Sequence, residues 1–408
     1  MELELEHARG QRLVDVEDGD EDEDEDAKMD VVVMDDGITG GRSRLSSVQR
    51  PNIRKRIHVA LASVRTVVLT MSAALPDKMR AVHITKTGDI DIIEVSEVPV
   101  PKPGPSQVLI KAEWAGVNYI DTYFRGGLYK VPLPFVLGTE AAGIVVELGS
   151  DLKSSSTESL KVGDHATSFG RGAFAEYVAV DRASVAKVPS HLDLRTAAAS
   201  TLQGLTALTL VREAYHVNKG DTVLVHAAAG GVGLLLCQLA SHFGATVIGT
   251  VSTAAKAELA KAHGAHHVII YGHDDYGVVP GEVLKLTDGK GVQAIFDGVG
   301  KASWEGDFEA IARKGTIVSF GNASGAVEPF APLKLSAKNV KLVRPTLYGY
   351  VATQEETEKW SAELFELIEQ GHLKINVHKE YPFTTEGVRQ TQIDLTSRGT
   401  TGKLVIKL

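Results

Sequence analysis

Apolar and polar positions follow two rhythms from residue 79 onward. Between residues 79 and 200, short β patterns are broken by Gly and Pro. Arg80–Ile84 alternates, and Ile90–Val95, Val108–Ala115 and Ala142–Leu148 are further runs, with a proline-rich turn at Pro99–Pro105. This predicts a compact antiparallel β domain with irregular loops. From about Leu202, strand-like runs at Asp221–His226, Ala245–Thr250, His267–Tyr271, Val292–Asp297 and Gly315–Phe320 alternate with helical stretches at Leu234–Phe243, Thr253–His263 and Lys301–Arg313. Strands alternating with helices predict a parallel sheet joined by right-handed crossovers. Beyond Val343 the pattern predicts a helix over Gln354–Glu369 and β-like ends at Lys374–Val377 and Lys403–Leu408, and no internal repeat is visible.

Charge separates a tail from this part. Residues 1–36 hold 16 acids and 3 bases, residues 37–78 hold 1 acid and 8 bases, and residues 79–408 hold 35 acids and 32 bases. The last block, net −3, is long enough to bury a substantial core. The acidic run DVEDGDEDEDED (Asp15–Asp26) repels itself and has little apolar surface to offset the entropy of ordering, which predicts disorder. An acidic tail for a basic partner is the alternative. Segment 37–76 has the acid-free, Arg- and Ser-rich composition of a mitochondrial presequence, but lies behind the acidic block. Met71 and Met79 are candidate alternative starts, and residues 1–78 form the expected disordered tail.

Cysteine usage narrows the chemistry. The single Cys237 excludes a disulfide framework and any site needing two thiolates from one chain. No stretch approaches the ~20 uninterrupted apolar residues of a membrane helix. The acidic start argues against a secretory signal. A cytoplasmic, reducing setting is expected, with a mitochondrial one as the alternative if segment 37–76 acts as a presequence.

The strongest motif is His226-Ala-Ala-Ala-Gly-Gly-Val-Gly233, which follows a strand run and opens a helical stretch. A dinucleotide pyrophosphate must approach backbone N–H groups at a helix N-terminus, and a Cβ would block it. Gly230, Gly231 and Val232 are therefore the predicted cradle, the first glycine of the usual fingerprint being Ala228. An NAD site usually places an acid some 20 residues on, at the end of the second strand. Here that strand ends Gly-Thr-Val-Ser252-Thr253, with Lys256 following and Tyr271 closing the third strand. Missing negative charge beside an ammonium suits a 2′-phosphate, so NADPH is the expected cofactor. A solvated helix lysine is the alternative for Lys256.

Residues 79–408 resemble the medium-chain dehydrogenase/reductase superfamily, and within it the zinc-free quinone oxidoreductases related to zeta-crystallin. The carrying segments are Gly116–Tyr129, Leu137–Val145, Gln203–Ala207, His226–Gly233, Phe296–Gly300, Val318–Gly325 and Arg344–Tyr350. The resemblance implies an α/β fold: a GroES-like β domain (79–200 and 343–408) into which a doubly wound Rossmann domain (201–342) is inserted, commonly as a homodimer. It implies that Asn118 and Tyr123 face the nicotinamide with Thr206 opposite. Lys256, Tyr271 and Arg398 match contacts to the 2′-phosphate. Phe320, Asn322 and Leu347 match contacts along the cofactor, and Tyr129 is expected to line the acceptor pocket. Packing is an equal account of Tyr123, Phe320 and Leu347.

Many relatives are zinc alcohol dehydrogenases, whose catalytic metal needs a Gly-His-Glu segment. Here the segment reads Gly138-Thr139-Glu140, so no metal ligand set is expected. Without a Lewis acid to polarise an alcohol, the acceptor must be intrinsically electrophilic. An NADPH:quinone oxidoreductase is the leading expectation, with catalysis by Tyr123 and Asn118. A 2-alkenal/enone reductase and an AU-rich RNA-binding protein are the alternatives; no basic stripe with interleaved aromatics supports the last. The tail is expected to be dispensable for chemistry. A chain starting at Met71 should fold and keep its kinetic constants, and aggregation or loss of most turnover in that chain would show that the tail packs on the core.

Overall fold

In the computed structural model, residues 75–272 and 275–408 are described in full. Ahead of them only three short paired strands are described, Leu3–Glu6, Gln11–Asp15 and Val32–Val33, in a unit (residues 1–74) separate from the rest. The disorder expected for the remainder of that tail lies outside the described residues.

Two sheets dominate residues 75–408. The first runs in the order Val185–Lys187, His165–Ser168, Ala141–Leu148, Gln107–Val117, Lys403–Lys407, Val377–Pro382, with Tyr177–Asp181 also paired to Gln107–Val117. All its pairings are antiparallel except that of the two C-terminal strands. The last strand of the chain thus lies beside Gln107–Val117, so segments from before and after the parallel sheet share one β-sheet. A smaller sheet is formed by Val95–Pro99, Lys78–Ile84 and Phe135–Val136.

The second sheet has six parallel strands in the order His267–Ile270, Thr246–Val251, Thr222–Val225, Val292–Asp297, Ile311–Ser319, Lys341–Val343. In chain order this is 3-2-1-4-5-6, the doubly wound dinucleotide arrangement. Its central strands read as continuous apolar runs because both faces are covered. Leu224, Ile248, Ile295 and Ile317 join a cluster on one face, and Val223, Val225, Val247 and Phe296 join one on the other. The boundary expected at 200/201 falls inside a helix, Leu194–Thr209, that runs between the sheets. Gly204 of that helix lets it pack on Leu364 of Gln354–Glu369; a Cβ there would lie 2.6 Å from the leucine.

Several elements differ from the expected pattern. Ile90–Val95 is not a strand: the Asp89 side chain accepts from the Ile90 N–H and closes a 3₁₀ turn over Ile90–Ile92, and the strand begins at Val95. The helix expected over Lys301–Arg313 spans only Trp304–Ala310, because Ile311 turns extended and pairs with Val292. The strand placed at Lys374–Val377 runs instead over Val377–Pro382. Helices Tyr119–Gly126, Val278–Leu286 and Thr385–Thr396 were hidden in segments whose polar and apolar residues gave no clean period.

Strand contact sets one strict size limit. Gly143 lies opposite Ala112, beside a register shift, and a Cβ on it would sit 2.0 Å from the Lys111 carbonyl oxygen. Backbone cannot move as a side chain can. Gly143→Ala is therefore expected to lower stability by roughly 1–3 kcal/mol, the range typical of overpacking, and a denaturant midpoint equal to wild type would refute it.

Candidate functional site

Strand Thr222–Val225 ends at buried His226, and the chain then makes a tight loop into helix Gly231–His242. Ala227 sits there at φ 49°, a strained backbone for a residue with a Cβ, of the kind that gathers at functional sites. Close approach is built in at two glycines. A Cβ on Gly233 would lie 2.2 Å from the Ala227 carbonyl oxygen, and one on Gly231 would lie 2.1 Å from Gln203 Oε1. Gly231 and Val232 thus present their N–H groups at a helix N-terminus on the switch point of the sheet, a place fitted to a pyrophosphate, while the Gly230 N–H closes the loop by donating to the Ala227 carbonyl at 2.8 Å. The Gly402 N–H donates to the Ala229 carbonyl at 3.1 Å, tying the loop to the chain's last strand.

At the end of the second strand, Ser252 is half-buried and Thr253 caps helix Ala254–Ala262 by accepting from the Lys256 N–H. The Lys256 ammonium donates to the Arg398 carbonyl at 2.5 Å and lies 3.5 Å from Ser252 Oγ. Burial, and then the charge of Arg398, holds Lys256 below its ordinary pKa. Two cations distant in sequence are thus brought together beside Ser252, as a 2′-phosphate requires. Tyr271 is buried, and one face of its ring is covered by Tyr276 at 4.2 Å.

The second group of predicted residues gathers around helix Tyr119–Gly126 and the loop after strand Ile311–Ser319. Tyr123 lies on helix Tyr119–Gly126, and its phenol oxygen accepts from the Asn322 backbone N–H at 3.2 Å. Its ring lies 5.2 Å from Tyr129 and 5.6 Å from Tyr119, whose hydroxyl donates to the Ala323 carbonyl. The three tyrosines form an aromatic wall facing the loop after strand Ile311–Ser319. With its amide turned to satisfy both neighbours, Asn322 accepts from Arg344 and donates to Gly321. Burial raises the Tyr123 pKa above that of a free phenol. Thr206, half-buried, donates to the Leu202 carbonyl of its own helix. Phe320 and Leu347 pack against the main core, in keeping with the packing account of both.

Asn118 is brought into a different company. It is 3 % exposed and caps helix Tyr119–Gly126 in a reciprocal pair with Asp121. Its Nδ2 donates to Glu140 at 3.0 Å and to the Gly116 carbonyl at 3.3 Å, while its Oδ1 accepts from the Lys403 ammonium at 2.7 Å. Thr139, the residue in place of a ligand histidine, donates to Asp121 at 2.8 Å. Burial pushes the Asp121 carboxyl up to about 7, against the opposing pull of the Asn118 N–H and the Thr139 hydroxyl. Lys403 and Glu140, both fully buried and paired, had no signal as site residues in the sequence. Cys237 is wholly buried, and burial pushes its thiol up to about 12.

Comparison with known proteins bears on this site. Two family models match: the alcohol dehydrogenase GroES-like domain over residues 104–190 and the zinc-binding dehydrogenase over residues 231–370. A probable quinone oxidoreductase of Schizosaccharomyces pombe is 44 % identical over 329 residues, 80 % of this chain and 96 % of that protein. A mycobacterial structure complexed with NADPH superposes with TM-score 0.77 at 42 % identity, covering 81 % of this chain and all of that one. The Escherichia coli quinone oxidoreductase complexed with NADPH superposes with TM-score 0.75 at 36 % identity, covering 81 % of this chain and all of that one.

The paired cations make a selective prediction. Loss of one charge-assisted phosphate contact should weaken NADPH binding by about 1.5–3 kcal/mol, roughly ten- to a hundredfold, in Lys256→Ala. NADH binding should change far less. Fluorescence titration with both cofactors decides, and equal losses would show that Lys256 does not read the phosphate.

Proposed function

We infer the working of the cleft from the premise that the chain belongs to the zinc-free quinone oxidoreductases of the medium-chain dehydrogenase/reductase superfamily. It is an NADPH:quinone oxidoreductase. Bound NADPH supplies the hydride. The residues proposed to hold it are the Gly230–Val232 cradle, with Gln203 beside the glycine loop, Thr206 toward the nicotinamide, and Ser252, Lys256 and Arg398 at the 2′-phosphate.

One observation carries the choice of acceptor. At the Gly138-Thr139-Glu140 segment, Thr139 is engaged with Asp121, and an ammonium rather than a Lewis acid is held by Glu140. Nothing there would polarise an alcohol, so the acceptor must be electrophilic by itself. A flat quinone fits the wall of Tyr119, Tyr123 and Tyr129, with ring-on-ring contact providing affinity and orientation.

Tyr123 is proposed to donate a hydrogen bond to the acceptor oxygen. Its own oxygen already accepts from Asn322, which leaves its proton for a second partner. The raised pKa keeps the phenol protonated at neutral pH but makes it a poor acid. Such a group suits a quinone, whose oxygen becomes only weakly basic as charge arrives. Asn118 is proposed to act on orientation, since its side chain is committed to Glu140, Gly116 and Lys403.

We propose a homodimer through strand Lys341–Val343, the edge of the parallel sheet. A cytoplasmic setting is proposed on the single cysteine. Among the described residues no helix is long and apolar enough to cross a membrane. RNA binding is the reading of a different class, and a filter-binding salt titration would reveal it.

Tyr123→Phe should lower turnover of a quinone by less than about tenfold, where a full general acid contributes at least ~10². With a 2-alkenal, whose developing enolate is far more basic, the loss should be larger. Steady-state kinetics at saturating NADPH test this, and a hundredfold loss with quinones would make Tyr123 an obligatory acid. A second outcome is expected from exhaustive chelation, which should leave turnover unchanged; a stoichiometric zinc lost together with activity would overturn the zinc-free reading.

A further inference from the structure

Lys403 is the largest polar side chain fully buried in the β domain, and no step assigned above uses it. Its surroundings are specific. The ammonium is bonded to Glu140 Oε2 and to Asn118 Oδ1. The other oxygen of Glu140 accepts from the Leu202 N–H, in the helix that carries Thr206. Asn118 caps the helix that carries Tyr123. The residue before Lys403, Gly402, donates to the glycine-rich loop at Ala229; a Cβ on it would lie 2.2 Å from the Asn376 carbonyl. Lys403 and its neighbour Gly402 therefore link three elements: the ammonium reaches the Tyr123 helix through Asn118 and the Thr206 helix through Glu140, and the Gly402 N–H holds the loop.

We propose that Lys403 is a positioning residue for hydride transfer: its buried ammonium, clamped between Glu140 and Asn118, fixes the spacing of the Tyr123 helix and the Thr206 helix, beside the backbone tie that Gly402 makes to the glycine-rich loop. It governs the rate of transfer more than the binding of cofactor. The physical argument is stiffness. A neutral side chain of the same length could fill the space, but it could not hold a carboxylate and an amide oxygen in fixed directions. Charge-assisted hydrogen bonds in a dry site do so, since each partner has no water to turn to. Transfer is steeply sensitive to such spacing, because a misplacement of about 1 Å can cost roughly a hundredfold in rate. The role rests on the reading of the Tyr123 cleft as the place of transfer.

The test uses the full chain with Lys403→Met and with the double variant Lys403→Met, Glu140→Gln. The single variant strands a buried carboxylate and is expected to fold poorly; the double variant removes both charges and is expected to fold. In the double variant kcat with 1,4-benzoquinone should fall at least about tenfold while the Kd of NADPH moves less than about threefold, the split expected of lost alignment. The isotope effect with NADPH deuterated at C4 should rise. In the cofactor-free protein, amide exchange at Leu202 and Gly402 should accelerate. Wild-type kcat in the folded double variant would overturn the proposal, as would parallel loss of kcat and NADPH affinity. Failure of both variants to fold would overturn it too, because the pair would then hold the fold rather than the site. Wild-type protein without quinone turnover would sink the reading of the cleft and this role with it, and is thereby distinguishable from failure of the role alone.

Discussion

An ammonium taken out of water must recover from the protein the solvation it has lost. Lys403 recovers it from one carboxylate and one amide oxygen, and that requirement organises the centre of the molecule. The final strand must run beside Gln107–Val117 for the lysine to arrive there, which draws the C-terminus back across the chain. Glu140 must be wholly buried, so the segment before strand Ala141–Leu148 has to pass under the helix cap at Asn118. Buried pairs of this kind seldom raise stability over a well-packed apolar core, because desolvation offsets most of the attraction. What such a pair does provide is direction, and direction is what a hydride-transfer site needs from its frame.

The far end of the cleft works by the opposite logic. Lys256 and Arg398 are both cations, and bringing them together has no favourable term between the charges themselves. The Arg398 carbonyl partly satisfies the ammonium, and the backbone at Arg398 adopts φ 63° in doing so. In the role proposed for this site, a doubly charged 2′-phosphate would relieve the repulsion. At the centre, then, charge is neutralised within the chain and held rigid. At the rim, two like charges stand near each other, an arrangement that suits an anionic ligand. The contrast fits the proposed roles, alignment at the centre and selection between NADPH and NADH at the rim.

Much of this could be read from the residues, and the failures follow a rule. Parallel strands buried on both faces gave unbroken apolar runs, and the glycine loop stood at their first strand–helix junction, so the nucleotide-binding half was legible. The absent acid after Val251 was legible as well. Ile90–Val95 failed because Asp89 offers a local hydrogen bond that no periodicity records. Lys403 failed for a different reason. A lysine in a C-terminal β run has the look of a solvent-facing residue, and its partner Glu140 is 263 positions away. Tyr271 shows the same limit in reverse: the chain predicts its place at the end of a strand but not the stacked Tyr276 that covers its ring.

The aromatic wall and the buried cation then constrain each other. A quinone needs little proton donation, so the site can place its tyrosines for contact and give Tyr123 a single fixed donor, the Asn322 N–H. A phenol so placed is neither activated nor ionised; burial keeps it neutral. Had the acceptor been an alcohol or a simple ketone, the missing Lewis acid would have had to be replaced by a strong acid at this point, and Asp121 is the buried carboxyl nearest in sequence with a raised pKa. That carboxyl is instead committed to the Asn118 N–H and the Thr139 hydroxyl. The groups that could have acted as acids are spent on holding the frame, and the acceptor is left to supply its own electrophilicity.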